Sequence, residues 1–232
     1  MRDIFFLRIR LVFQADLVCH RTGSNQYLLD DSLMIKSQIK YTEYSDRWVL
    51  PSNYYYFYKK LNNTPINFFA IDTNLYNYFD KKKEIIKQEE WLLSRLSNSK
   101  SWNIVFGHHP WKSSGSHGNC NENLDNFYNK ISNTGNVDII LSGHDHDQQH
   151  FYIPNKPHLF ISGTGGDVRP LDKYIRKMKS NRYLQYYTEQ PGCLQIIPRI
   201  DMITINIWVT DSKENHKIAY TVTIEKRKNL NL

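Results

Sequence analysis

Cysteine is scarce in this chain. Cys19, Cys120 and Cys193 are an odd number at irregular spacing, which argues against a disulfide framework and a zinc ribbon. Long apolar runs are absent as well, and no stretch reaches the roughly 18 apolar residues that a membrane-spanning helix needs. Met1 to Phe13 is apolar, but Arg8 and Arg10 interrupt what would be the centre of a signal peptide. No small-residue cleavage site follows, so we do not read the segment as one. Asn62-Asn63-Thr64 is a lone glycosylation sequon, usable only on a secretory route. Internal repeats and low-complexity linkers are missing. Acidic residues are outnumbered, since 30 Lys and Arg against 23 Asp and Glu leave a net charge of +7. A basic balance attracts anions. Without a continuous basic stripe and interleaved aromatics it reads as a scattered, solvated surface rather than a specific nucleic-acid face.

What is present is enough for one full core: 232 residues, 40% hydrophobic and 14% aromatic. The low mean hydropathy of -0.61 reflects Asn, Lys and Tyr rather than disorder. Tyr54 to Tyr58 and Ile66 to Ile71 predict two strands joined by a turn at Asn62-Asn63-Thr64-Pro65. Lys83 to Ser97 predicts a helix with Ile85, Leu92 and Leu96 on one face and Ile86 and Leu93 beside them. Trp102 to Phe106 follows as a strand. Leu124, Phe127, Tyr128 and Ile131 then mark a second helix, stopped by Gly135, before the strand Val137 to Leu141. This alternation predicts an α/β fold with right-handed crossovers. Further strands, joined by polar turns, are expected at His158 to Ser162, Leu194 to Ile197, Met202 to Val209 and Lys217 to Ile224.

Two of these apolar runs end at a glycine and deliver histidine into the next loop: Gly107-His108-His109 and Gly143-His144-Asp145-His146. Buried parallel strands hand polar side chains to a site at their carboxyl edge in this way. Two imidazoles one residue apart can reach two different ions, and His108 can supply a third ligand. A lone loop histidine would be read as a solvated residue; two such units in one chain favour a metal site.

Gly107-His108-His109-Pro110 and Gly143-His144-Asp145-His146 resemble the last two signature blocks of the calcineurin-like metallophosphoesterases, and more narrowly of the tartrate-resistant type of purple acid phosphatase. Supporting segments come in that family's order: Arg47-Trp48-Val49-Leu50-Pro51, Phe69-Ala70-Ile71-Asp72-Thr73, Gln88-Glu89-Glu90-Trp91-Leu92 and Ser113-Ser114-Gly115-Ser116-His117-Gly118. The resemblance runs from about Gln38 to about Thr223. It implies the C-terminal part of an αββα sandwich, with the strands from His158 onward in its second sheet, residues 38–232 as an incomplete metallophosphoesterase domain and residues 1–37 as a divergent or truncated segment. It further implies a binuclear centre of Fe with Fe, Zn or Mn, with His108 and His144 on the divalent ion and His146 on the other. His117 matches the family's substrate-side histidine, suited to protonate the leaving group of a phosphate monoester. The family's small members often bridge a cysteine near the position of Cys120, but this chain reads Asn74-Leu75-Tyr76-Asn77 where the partner would fall. Members are usually secreted, lysosomal or vacuolar.

The first forty residues depart most from the pattern. A complete member carries an Asp-bearing strand, a Gly-Asp-Asn block with a metal-binding Tyr, and a Gly-Asn-His-Asp block. There is no room here for the first two. Gly23-Ser24-Asn25-Gln26-Tyr27-Leu28 stands either in the place of the third, with Ser24 and Asn25 at its Asn and His positions, or in unrelated sequence joined to a truncated domain; the second reading is preferred. Asp72, His20, His109, His150, His158 and His216 are read as structural or surface residues. Gly163-Thr164-Gly165-Gly166 lacks the Lys-Ser/Thr of a P-loop and is read as a tight turn, with Asp167 as a minor candidate behind the site. Three functions follow: a binuclear metal phosphatase, a non-catalytic relative used as a scaffold or binding surface, and, less favoured, a nuclease of the same superfamily.

Overall fold

The computed structural model describes residues 31–44, 49–78, 80–96, 101–165 and 182–227. A helix, α1 (Asp31–Tyr41), comes first and leads to the hairpin of β1 (Tyr55–Leu61) and β2 (Thr64–Ala70). Asn62 and Asn63 both take positive φ, 47° and 62°, between the paired residues Leu61 and Thr64. A two-residue loop of that hand matches the twist of its strands, and Asn tolerates it.

The rest of the chain continues with α2 (Lys82–Arg95), β3 (Trp102–Phe106), α3 (Glu122–Asn133), β4 (Ile139–Ser142), β5 (Gln148–Phe151), β6 (His158–Ser162) and β7 (Leu184–Thr188). These strands form a seven-stranded sheet in the order β1-β2-β3-β4-β6-β5-β7. β2, β3, β4 and β6 run parallel. Every residue of β3 and β4 is buried, as expected for parallel strands covered on both faces. One face carries Phe69, Ile71, Val105, Ile140, Leu159 and Ile161 against Leu92 and Leu96 of the α2 region and Leu124, Phe127, Tyr128 and Ile131 of α3. The alternate residues Ile66, Phe68, Ile104, Phe106, Ile139, Leu141 and Phe160 meet Ile196, Ile203, Ile205 and Ile224 of a smaller antiparallel sheet. That sheet is β8 (Gly192–Pro198), β9 (Met202–Thr210) and β10 (His216–Glu225), in the order β10-β9-β8. Asn121 caps α3 by accepting from the Leu124 N–H, and Gly135 past its end takes φ +73°.

The structure corrects three expectations. β6 belongs to the large sheet, parallel to β4, rather than to the second one. Ile86 is 54% exposed; the inward position next to Leu92 is taken by Gln88, whose amide is satisfied by backbone. β5, β7 and α1 were not read from the sequence at all. Cys120 is a free thiol. The expectations for residues 1–30, for Arg47-Trp48 and for Gly166 and Asp167 lie outside the described residues.

Candidate metal centre

The carboxyl ends of β2, β3, β4 and β6 lie side by side, so the loops after them meet at one edge. Asp72 follows β2, His108 and His109 follow β3, His144 to His146 follow β4, and Gly163 follows β6. Two backbone bonds lock the β3 and β4 loops together, from the Gly107 N–H to Leu141 O at 3.2 Å and from the Gly143 N–H to His108 O at 3.1 Å. A side chain at 107 would press on Thr73 and Ile71 at 2.7–2.9 Å, which is why glycine stands there.

His108 Nε2 and His144 Nδ1 face each other at 2.9 Å. His144 reaches this position through φ +67°, a left-handed turn that a histidine rarely adopts. Ligand atoms of His108, His109 and His144 all lie within 4.8 Å of one another, a group that could hold a metal ion. His146, half-buried on the same loop, is not one of that group. The His117 ring lies against His144, centroids 4.1 Å apart. The four sequence-predicted residues therefore divide into His108 and His144 in nitrogen contact, His117 tilted against His144, and His146 two residues further along.

His109 was not expected in the cluster. Its ring packs edge-on to His108 at 4.7 Å, while its own nitrogens face Thr73 Oγ1 at 2.8 Å and Asn77 Nδ2 at 3.5 Å. Asn121 Nδ2 donates to Asn77 Oδ1, so Asn77 turns its NH2 toward His109 Nε2. That places the His109 proton on Nδ1, directed at Thr73. Burial first, and then its histidine neighbours, hold its pKa far below the usual imidazole range. The Asp-Thr pair is structural in the same sense. Asp72 Oδ1 accepts from the Asn74 N–H at 3.0 Å, and Gln88 clamps the Asp72 backbone, accepting from its N–H at 2.7 Å and donating to its carbonyl at 3.2 Å.

Asp145, between the two motif histidines, is fully buried. It points away from them, into the Ser113–His117 loop. Its Oδ1 accepts from the His117 N–H and lies 2.9 Å from His117 Nδ1, and its Oδ2 accepts from Ser113 Oγ. Burial pushes its pKa up, but those hydrogen bonds outweigh it and hold the carboxyl below the usual carboxylate range. Sequence reasoning passed over Asp145 because its partners lie about thirty residues upstream in a different loop; the Ser-rich segment ending in His117 was the available signal.

Residues 25–148 match the family of the calcineurin-like phosphoesterases, more than half of the chain. The chain belongs to that family. Among relatives, it is 25% identical to tartrate-resistant acid phosphatase type 5 of Sus scrofa over 208 residues, which cover 83% of this chain and 61% of the relative. Its fold is similar to that of GAP50, described as the anchor in the inner membrane complex of Plasmodium, with TM-score 0.69, 20% identity and coverage of 85% and 63%. PhoD is similar at TM-score 0.58 and 13% identity, over 90% of this chain and 51% of that one. The chain thus spans about three fifths of the length of the phosphatases it matches. No helix among the described residues is long and apolar enough to cross a membrane.

Proposed function

We propose that this chain carries the histidine half of a metal-dependent phosphomonoesterase site of the acid phosphatase type. The observation that supports the reading is the pair of ring nitrogens at 2.9 Å, delivered by the ends of two adjacent parallel strands. Imidazole nitrogens bound to one zinc-like ion sit about 2.0–2.1 Å from it, so the pair needs only a slight opening to share an ion. His108 and His144 would hold that ion, His146 would serve a second, and His109 would fix the His108 ring from the side. Fe, Zn and Mn suit such imidazole donors. Bound ions supply charge neutralisation for the phosphate and a water acidic enough to be a nucleophile near neutral pH. His117 gives its proton to the departing alkoxide, the step that matters most for a poor leaving group.

A second reading is a scaffold that keeps the fold without turnover. It rests on the donor set of the cluster, which is imidazole throughout. The experiment that separates the two is to read the genomic frames upstream of Met1, extend the chain with any in-frame segment, load it with iron and zinc, and measure p-nitrophenyl phosphate turnover. Turnover abolished by His144→Ala supports the hydrolase; metal binding without turnover in the extended form supports the scaffold.

A further inference from the structure

Asp145 is held by a network whose hydrogen-bond directions are all set by backbone N–H groups. The Ser114 N–H donates to Gln149 Oε1 at 2.8 Å. This fixes the Gln149 amide, so its Nε2 donates to Ser113 Oγ at 3.1 Å and to Asp147 Oδ1 at 2.7 Å. Ser113 Oγ also accepts from the Gly115 N–H at 2.9 Å. Both acceptor positions of that hydroxyl are then taken, and its single proton goes to Asp145 Oδ2. Asp145 Oδ2 therefore receives a hydrogen bond, and Oδ1 faces donors as well, the His117 N–H at 2.9 Å and the Ser116 hydroxyl at 3.4 Å, which are the surroundings of an ionised carboxylate. Its Oδ1 takes the His117 N–H, and the ring nitrogen 2.9 Å away must be a donor as well.

The packing around Asp145 is close on both its side chain and its backbone. A Cβ on Gly115 would lie 2.2 Å from the Asp145 carboxyl carbon, and one on Gly163 would lie 1.9 Å from its carbonyl oxygen. Two glycines from two loops thus close on one buried aspartate. We propose that Asp145 is the positioning residue for His117: it fixes the neutral ring with its proton on Nδ1 and turns bare Nε2 away from the network. The consequence for catalysis rests on the phosphatase reading above: with Nδ1–H held by Asp145, Nε2 is the atom that takes up a second proton from solvent, and the resulting imidazolium returns that proton to the leaving group and goes back to the neutral ring. The geometric claim does not.

The test is long-range 1H–15N spectroscopy of the histidine rings in the 232-residue protein without added metal, at a pH where the ring is neutral. His117→Asn identifies the His117 signals by their loss. A hydrogen bond to an ionised partner favours one tautomer by more than about tenfold, so the wild type is expected to show Nδ1–H almost alone. In Asp145→Asn that preference should fall toward an even mixture, or invert. Should Asp145→Asn fail to fold, Ser113→Ala, which removes the Oδ2 donor along with the acceptor for Gly115 and Gln149 but leaves Asp145 Oδ1 facing His117 Nδ1, should keep the Nδ1–H form, and the wild-type spectrum still decides. A wild-type His117 protonated on Nε2, or an Asp145→Asn spectrum identical to wild type, overturns the proposal. No turnover is measured, so a failed phosphatase assay leaves this result standing, and the reverse holds too.

Discussion

Acid should weaken the contact between the two sheets, through a histidine pair remote in role from the candidate metal centre. His150 Nε2 meets His158 Nδ1 at 2.9 Å, and His150 Nδ1 meets the Tyr220 hydroxyl of the small sheet at 2.9 Å. Phe160 stacks on His150, Tyr152 on His158, and Tyr186 on Tyr220. Burial, then His158, lowers the His150 pKa to about 3; burial, then Arg227, lowers that of His158 to about 4. An unfolded histidine titrates near 6.5. The folded state excludes a proton that the unfolded state accepts, so stability is intact above pH 6.5 and falls below it until the folded values are reached. At pH 5 each histidine costs about 2 kcal/mol by this linkage, against a total stability of about 5–15 kcal/mol for a domain. His109 adds to the loss and Asp72, raised by burial to about 6, works against it, so the comparison with a variant isolates the pair. Urea unfolding followed by fluorescence at pH 7.5 and 5.0 should show wild type losing about 2 kcal/mol more than His150→Gln over that interval. Equal losses in the two proteins would refute the reasoning.

Other outcomes follow from the same contacts. Gly115→Ala places a methyl 2.2 Å from the Asp145 carboxyl carbon and should destabilise by about 1–3 kcal/mol or more, read by chemical denaturation. Gln88→Ala removes both clamps on the Asp72 backbone and should cost about 2–4 kcal/mol, with no effect on zinc affinity in a calorimetric titration. In an active, extended form, His117→Asn should slow alkyl phosphates far more than activated aryl esters, since only the former need the proton; equal slowing would remove the acid role.

How far the sequence could be read depended on how each segment satisfies its polar groups. β3 and β6 were legible to the residue because they are apolar runs, Trp102–Phe106 and His158–Ser162. The sheet that β6 joins was not, since an apolar run records burial but not its neighbour. β5 reads Gln-Gln-His-Phe and looks like a loop, yet all four residues are buried. Gln148 donates to Trp208 O, Gln149 sits in the Asp145 network, and His150 bonds to Tyr220 and His158. Such burial leaves no hydrophobic period to detect, because the compensation comes from residues distant in sequence. The histidine cluster was visible as two Gly-His units; that His109 shares it, and that Asp145 faces His117, depends on loops crossing one another.

The same donor accounting limits how many ions the chain can hold. Two divalent ions about 4 Å apart repel by roughly 17 kcal/mol at an effective dielectric constant near 20, and neutral imidazoles remove none of that. A bridging anion is required, and most of the carboxylate oxygens at this edge are already hydrogen-bonded. Asp145 accepts from Ser113 and His117, Asp147 from Gln149, and Asp72 Oδ1 from Asn74, while Asp72 Oδ2 is buried with no hydrogen-bond partner. We therefore expect the 232-residue protein to bind at most one ion tightly, to show no visible tyrosinate-to-iron band with iron, and to turn over p-nitrophenyl phosphate poorly. Metal analysis after desalting, a visible spectrum and a turnover assay check the three together. Two ions per chain with robust turnover would refute the accounting and point to Asp16, Asp30 and Asp31 as the carboxylates that supply the bridge.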